Sequence, residues 1–256
     1  MSAPAPLLRR ATTEGLGTAA LVAVVVGSGI QATELTHDVA TQLLANSLAT
    51  VFGLGVLIAL LAGVSGAHFN PAVTLAAWFT GRRTGDGPTL RDVAAYVPAQ
   101  TVGAIGGALL ADAMFGKPMV HFSTHERWAG HLWLAEAVAT AGLVWLIFGL
   151  ARAGRAHLAP PLVAAYIGAA YWFTSSTSFA NPAVTIGRAF TDTFAGIAPT
   201  SVLPFLTAQL LGAAAGLALV TVCFGRTTGT GSEAVVLPGG QKSATPTRST
   251  EESALT

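Results

Sequence analysis

Charge is what this chain has least of. Only 10% of its residues are Asp, Glu, Lys or Arg while 52% are hydrophobic, and a soluble globular domain carries roughly 25% charged residues. That deficit excludes a soluble enzyme. A formal net charge of +1 without a basic patch argues against a nucleic-acid partner. Cysteine is nearly missing too. Cys223 stands alone in an apolar run, so neither an intrachain disulfide nor a cysteine metal cage is available. It reads as a small buried apolar side chain. No nucleophile–base pair or metal motif occurs in the apolar stretches, so neither enzymatic chemistry nor a cofactor is expected.

What is present is a series of apolar runs, approximately Glu14–Thr33, Gln42–Gly63, Val93–Phe115, Leu132–Ala151, Pro160–Phe173 and Val202–Phe224. Each is near the ~20 residues that cross ~30 Å of hydrocarbon. Backbone polar groups need internal partners in lipid, so the runs predict an all-α membrane protein with six spanning helices. Gly103/Gly107 and Gly212/Gly216 stand at the spacing that permits close helix approach. Three regions are expected: an N-terminal tail 1–10, a membrane domain 11–225 and a disordered tail 226–256 rich in Thr, Ser and Gly. Arg9-Arg10 before an apolar run outlines a signal peptide, but Glu14 interrupts the run and no small-x-small site follows, so retention as helix one is the better reading. With the N-terminus cytoplasmic, ten Lys and Arg lie inside against three outside (Lys117, Arg127, Arg188). This positive-inside bias puts both termini in the cytoplasm, across a plasma or inner membrane.

The chain repeats itself. Glu14-Gly-Leu-Gly-Thr18 answers Glu136-Ala-Val-Ala-Thr140, Asn70-Pro-Ala-Val-Thr74 answers Asn181-Pro-Ala-Val-Thr185, and Ala99-Gln100-x-x-Gly-Ala answers Ala208-Gln209-x-x-Gly-Ala. Repeat one covers 11–115 and repeat two 132–225. Each holds three spanning helices, an odd number, so the second must enter from the opposite face. That is an inverted repeat.

Asn70–Thr80 and Asn181–Phe190 are short apolar segments of about ten residues, or ~15 Å of helix, half a bilayer. Asn at an N-cap followed by Pro at the first helical position is a strong start signal. Each segment is therefore a half-helix starting near mid-membrane, preceded by extended chain (63–69 and 174–180) that is tolerable only beside a wet cavity. A capping Asn spends its oxygen on its own helix and leaves its NH₂ to donate into that cavity. Two half-helix N-termini of roughly +0.5 charge each would repel cations there.

Gly66-Ala67-His68-Phe69-Asn70-Pro71-Ala72-Val73-Thr74 and the second Asn181-Pro182-Ala183, with the paired Glu and Gln elements, resemble the aquaporins, or major intrinsic proteins, over roughly residues 10–225. The resemblance implies six tilted helices plus two half-helices, one pore per subunit and a homotetramer. It implies pore-lining backbone at Gly66, Ala67, His68, Thr177, Phe179 and Ala180. It also gives Glu14 and Glu136 a supporting role for that backbone, with Gln100 and Gln209 doing similar work.

The family's filter usually includes an Arg three residues after the second Asn; here that residue is Val184. Offsets from the motifs place the other filter positions at Thr50, Ala169 and Ser178, all small and uncharged, which implies a wide constriction. Arg188, one turn beyond Val184, either replaces the missing charge in part, as a vestibule residue, or sits at the interface paired with Asp192. His121, His125, Glu126 and His131 read as a solvated outer loop ahead of a metal site. Tyr171-Trp172-Phe173 reads as an interfacial belt.

The expected function is a passive channel for small uncharged solutes: metalloid acids such as arsenite, glycerol-like polyols and water. The alternatives are a water-selective channel, an ion-coupled transporter using Glu14 and Glu136, and a low-flux structural membrane protein.

Overall fold

The computed structural model describes residues 5–82 and 84–225; the expected tail 226–256 lies outside the described residues. Among the described residues there are eight α-helices and no strand: α1 (Leu7–Leu35), α2 (Val39–Ser65), α3 (Pro71–Gly81), α4 (Leu90–Met114), α5 (Gly130–Arg152), α6 (Ala159–Phe173), α7 (Pro182–Gly187) and α8 (Pro199–Phe224). Five of them, α1, α2, α4, α5 and α8, are long and apolar enough to cross a membrane. The sixth long segment, α6, has 15 residues, about 22 Å at 1.5 Å per residue, and a 3₁₀ turn at Ala156–Leu158 leads into it. The half-helices are α3 and α7. The second is shorter than its sequence suggests, because after Gly187 the chain tightens into a 3₁₀ turn at Arg188–Phe190.

Local signals account for the starts. Asp38 caps α2 by accepting the Thr41 amide at 2.7 Å, and Thr89 with Asp92 forms a reciprocal capping box on α4. Proline occupies the first turn of α3, α6, α7 and α8, where its missing N–H costs nothing. α1 begins at Leu7 rather than near Glu14. It carries Arg10 alongside the start of α4, where the guanidinium meets Asp92 at 2.6 Å.

The two repeats pack alike. α1 lies along α4 and α5 along α8, and in each pair glycine allows the approach. A Cβ on Gly103 would stand 2.1 Å from the carbonyl oxygen of Gly15, and one on Gly212 would stand 2.3 Å from that of Ala137. Gly107 and Gly216 meet the Ala19 and Ala141 carbonyls in the same way. The spaced glycines therefore set how closely each pair closes. α2 packs on α6 to join the halves, and the tips of α3 and α7 meet between them. Cys223 corrects the sequence reading: it is exposed on α8, not buried. An apolar residue on the lipid-facing side of a spanning helix needs no protein neighbour, and in such a run hydropathy cannot say which side faces in.

A candidate pore between the two half-helices

The centre is built by two asparagines that each serve both repeats. Asn70 accepts the Ala72 amide at 2.9 Å with Oδ1 and donates through Nδ2 to the Ala180 carbonyl at 2.8 Å. Asn181 accepts the Ala183 and Val184 amides and donates to the Phe69 carbonyl at 2.7 Å. The capping role is the one the motif predicts. The amides are not wholly free, however: one N–H of each bridges to the other half, and one is left for the cavity both residues line. Pro71, Ala72, Pro182 and Ala183 are buried behind them. The residue after each Asn-Pro-Ala, Val73 and Val184, lines the cavity from each side.

The backbone before each asparagine is unusual. Ala67, Phe69, Thr177, Ser178 and Ala180 all have positive φ, between 48° and 61°. A left-handed conformation costs an L-residue roughly 1–2 kcal/mol, so something must hold it. The holders are the two buried glutamates. Glu14 accepts from the Ser65 hydroxyl (2.6 Å), the His68 and Phe69 amides (3.0 and 2.7 Å) and Gln100 Nε2 (2.8 Å). Glu136 accepts from the Phe179 and Ala180 amides (2.8 and 2.9 Å) and Gln209 Nε2 (2.6 Å). Gln100 and Gln209 also donate to Thr74 and Thr185 in the half-helices. Each Glu–Gln pair thus ties a strained segment to the half-helix that follows it.

The cavity between these segments has aliphatic walls that repeat the pseudo-symmetry: Leu21 and Val25 from α1 against Leu143 and Ile147 from α5. On α1 they follow Glu14 along one helical face, as Leu143 and Ile147 follow Glu136 on α5. Ala67, His68, Phe69, Phe179 and Ala180 line the cavity, whereas Gly66 and Thr177 do not. Gly66 instead ends α2 in the left-handed region at φ 93°. His68 is half-buried, with Nδ1 3.1 Å from the Thr74 hydroxyl and its ring edge-on to Tyr96.

Toward the face opposite the chain ends the cavity becomes polar. Thr50, Ser178 and Val184 line it. Ala169 does not. It lies on the exposed side of α6, because Val163, Ile167 and Tyr171, spaced four apart, present the cavity face of that helix. Tyr171 is therefore no belt residue. It is 4% exposed while Trp172 and Phe173 are 50% and 56% exposed, and its hydroxyl lies 3.1 Å from that of Thr50.

Arg188 is buried and lines the same cavity. Its Nε donates to the Ala195 carbonyl and its guanidinium stacks on the Phe179 ring. It does not pair with Asp192, whose carboxylate accepts from the Thr124 amide and hydroxyl. Sequence reasoning also missed Arg127. Read as part of a solvated loop, it is buried: Nε donates to the Gly196 carbonyl and Nη1 to that of Ser176. Its basic character in an outer loop was visible, but nothing in the sequence says that the loop folds inward. Among the described residues no group of three or more His, Cys, Asp or Glu is placed to hold a metal.

The family described as Major intrinsic protein matches residues 2–180. Aquaglyceroporin AqpS of Rhizobium meliloti (strain 1021) is 51% identical over 214 residues, covering 84% of this chain and 89% of the relative. The glycerol uptake facilitator protein of Pseudomonas aeruginosa is 32% identical over 230 residues, covering 77% and 79%. A crystal structure of the aquaglyceroporin from Plasmodium falciparum superimposes with a TM-score of 0.58 at 20% identity, covering 85% of this chain and 98% of that one, and shares its fold. The chain belongs to the major intrinsic protein family and has the aquaporin fold, six long helices and two half-helices in an inverted repeat. That family consists of integral membrane channels, not enzymes.

Proposed function

We propose that this chain is a passive channel for small uncharged hydroxylated solutes, with Arg188 supplying from one turn further along the charge that Val184 lacks. The solutes are glycerol-like polyols, undissociated metalloid acids such as arsenite, and water. The observation that carries the reading is the cavity itself. Two crossed asparagine–carbonyl bridges stand at its centre, aliphatic walls flank them, and Thr50, Tyr171, Ser178 and Arg188 stand toward one end. A polyol needs both parts, hydroxyl partners on one side of its path and apolar wall for its carbons on the other. The names of two relatives, a glycerol and a propanediol uptake facilitator, point to the same solute class.

Ion coupling is less well supported. A coupling carboxylate must exchange protons along the path, whereas Glu14 and Glu136 are fully buried and committed to backbone amides. The proposal includes cytoplasmic termini, from the Lys and Arg bias, and a homotetramer in the bilayer, from the family resemblance. It also takes residues 11–225 as the channel domain. Stopped-flow shrinkage and re-swelling of proteoliposomes with water, glycerol, urea and arsenite tests it. Glycerol permeability no higher than in protein-free vesicles would overturn it.

A further inference from the structure

Arg127 and Arg188 approach the Phe179 ring with guanidinium carbons 5.0 Å and 3.4 Å from its centre, so the two charges are no further apart than those distances added together. Both are at least nine-tenths buried. Among the described residues no carboxylate lies within ion-pair distance of either. Glu136, the buried carboxylate of this repeat, is spent on Phe179, Ala180 and Gln209. Two like charges held together out of water are costly unless something offsets them. The carbonyls of Ser176, Gly196 and Ala195 and the ring do so only in part.

The donors left over point to what completes the site. Arg188 gives one N–H to Ala195, and among the described residues no group accepts from its two Nη atoms. The Ser178 hydroxyl is buried without a partner among the described residues, although the residue lines the cavity beside Phe179. Thr50 donates its hydroxyl hydrogen to the Asn46 carbonyl, so the Tyr171 hydroxyl donates to Thr50 and can only accept from a ligand. The two Nη donors of Arg188 and the free Ser178 hydroxyl, facing one cavity, match two oxygens on a single centre.

Resting on the channel reading and deepening it, we infer that this end of the pore is a binding site for a small planar monovalent oxyanion of the nitrate, bicarbonate or carboxylate type. Such an ion, once seated, occludes the path to neutral solutes. It does not pass. Beyond the throat lie aliphatic walls and one free N–H from each of Asn70 and Asn181, and two neutral donors do not replace two guanidiniums for a charge that leaves them.

The test uses the full chain in proteoliposomes, with glycerol permeability measured in sodium nitrate, equal on both sides, against sodium lactobionate of the same osmolarity and ionic strength. Nitrate should slow glycerol in a saturating manner. Arg188→Gln should weaken the half-inhibiting concentration at least about tenfold, the loss of a charged donor, and Arg188→Lys should recover part of it. Arg127→Gln, which leaves the cavity lining intact, should also weaken it. Because Arg188→Gln alters the throat itself, calorimetric titration of nitrate into detergent-purified wild type and Arg127→Gln provides a readout independent of flux. Equal glycerol rates in the two salts overturn the inference while the channel reading stands. So does inhibition unchanged in both arginine variants, or nitrate flux carried by the protein. Absence of any glycerol or water flux overturns the channel reading instead, and the titration still decides whether the anion site exists.

Discussion

Glu14→Gln separates a supporting glutamate from a coupling one. Four groups donate to the Glu14 carboxylate: the Ser65 hydroxyl, the His68 and Phe69 amides and Gln100 Nε2. A glutamine keeps one acceptor oxygen and turns a donor toward the other side. Its least damaging rotamer leaves the oxygen on Phe69 and Gln100 and faces its NH₂ to Ser65, whose hydroxyl can switch to accepting. The His68 amide is then orphaned. One buried unpaired N–H costs about 1–3 kcal/mol, and bonds to an ion are worth about 1.5–3 kcal/mol each against about 1 for neutral ones. Together the loss is about 3–5 kcal/mol. The strain being held, left-handed backbone at Ala67 and Phe69, amounts to roughly 1–2 kcal/mol per residue. Loss and strain are comparable, so the segment relaxes and its carbonyls leave the path. Since each 1.4 kcal/mol is tenfold in a population, water and glycerol permeability per copy should both fall at least about tenfold, with a lowered thermal midpoint. The assay is stopped-flow light scattering with copy number fixed by quantitative blotting, alongside a thermal scan in detergent. A Glu14→Gln protein that keeps wild-type midpoint and passive permeability but loses pH-dependent accumulation of solute would refute the reasoning and restore the coupled transporter.

Other changes probe other parts. Val184→Arg adds a second guanidinium to a throat already holding Arg188 and should suppress glycerol and arsenite more than water; unchanged glycerol and arsenite rates would show that Val184 is not at the constriction. Gly103→Ala places a Cβ 2.1 Å from the Gly15 carbonyl oxygen, over 1 Å inside ordinary contact, so α1 and α4 must separate. Such overpacking typically costs 1–3 kcal/mol, and an unshifted thermal midpoint would contradict the close approach. The Asp192 carboxyl is held below the ordinary carboxylate range, chiefly by the Thr124 amide. A depressed pKa in the folded state adds stability above the ordinary carboxylate value, lost as pH falls through the lowered one. Protection of the Thr124 amide, its exchange rate relative to the unfolded chain at the same pH, should therefore hold steady near neutral pH and fall only in acid, and Asp192→Asn should show reduced protection without that acid-dependent fall.

By itself the sequence determined the class of structure and the plan of its centre. Low charge and six long apolar runs demand helices in a membrane, whatever the tertiary detail. The Asn-Pro pairs are local signals, and both start half-helices as read. Matching Glu and Gln elements in an odd-helix repeat made the two-fold plan legible, including the glutamates that hold the strained backbone. Tertiary structure alone decided which side chains face the path. In an apolar run every residue suits either lipid or core, so hydropathy cannot orient a helix. For that reason counting from a motif points to Ala169 where the rotation of α6 turns Tyr171 to the cavity, and an apolar run around Cys223 does not say that it is exposed. Loops are harder still. Nothing local to residues 116–129 says that Arg127 turns inward to share Phe179 with Arg188, because carbonyls of the 174–180 and 191–198 segments, far along the chain, receive its guanidinium.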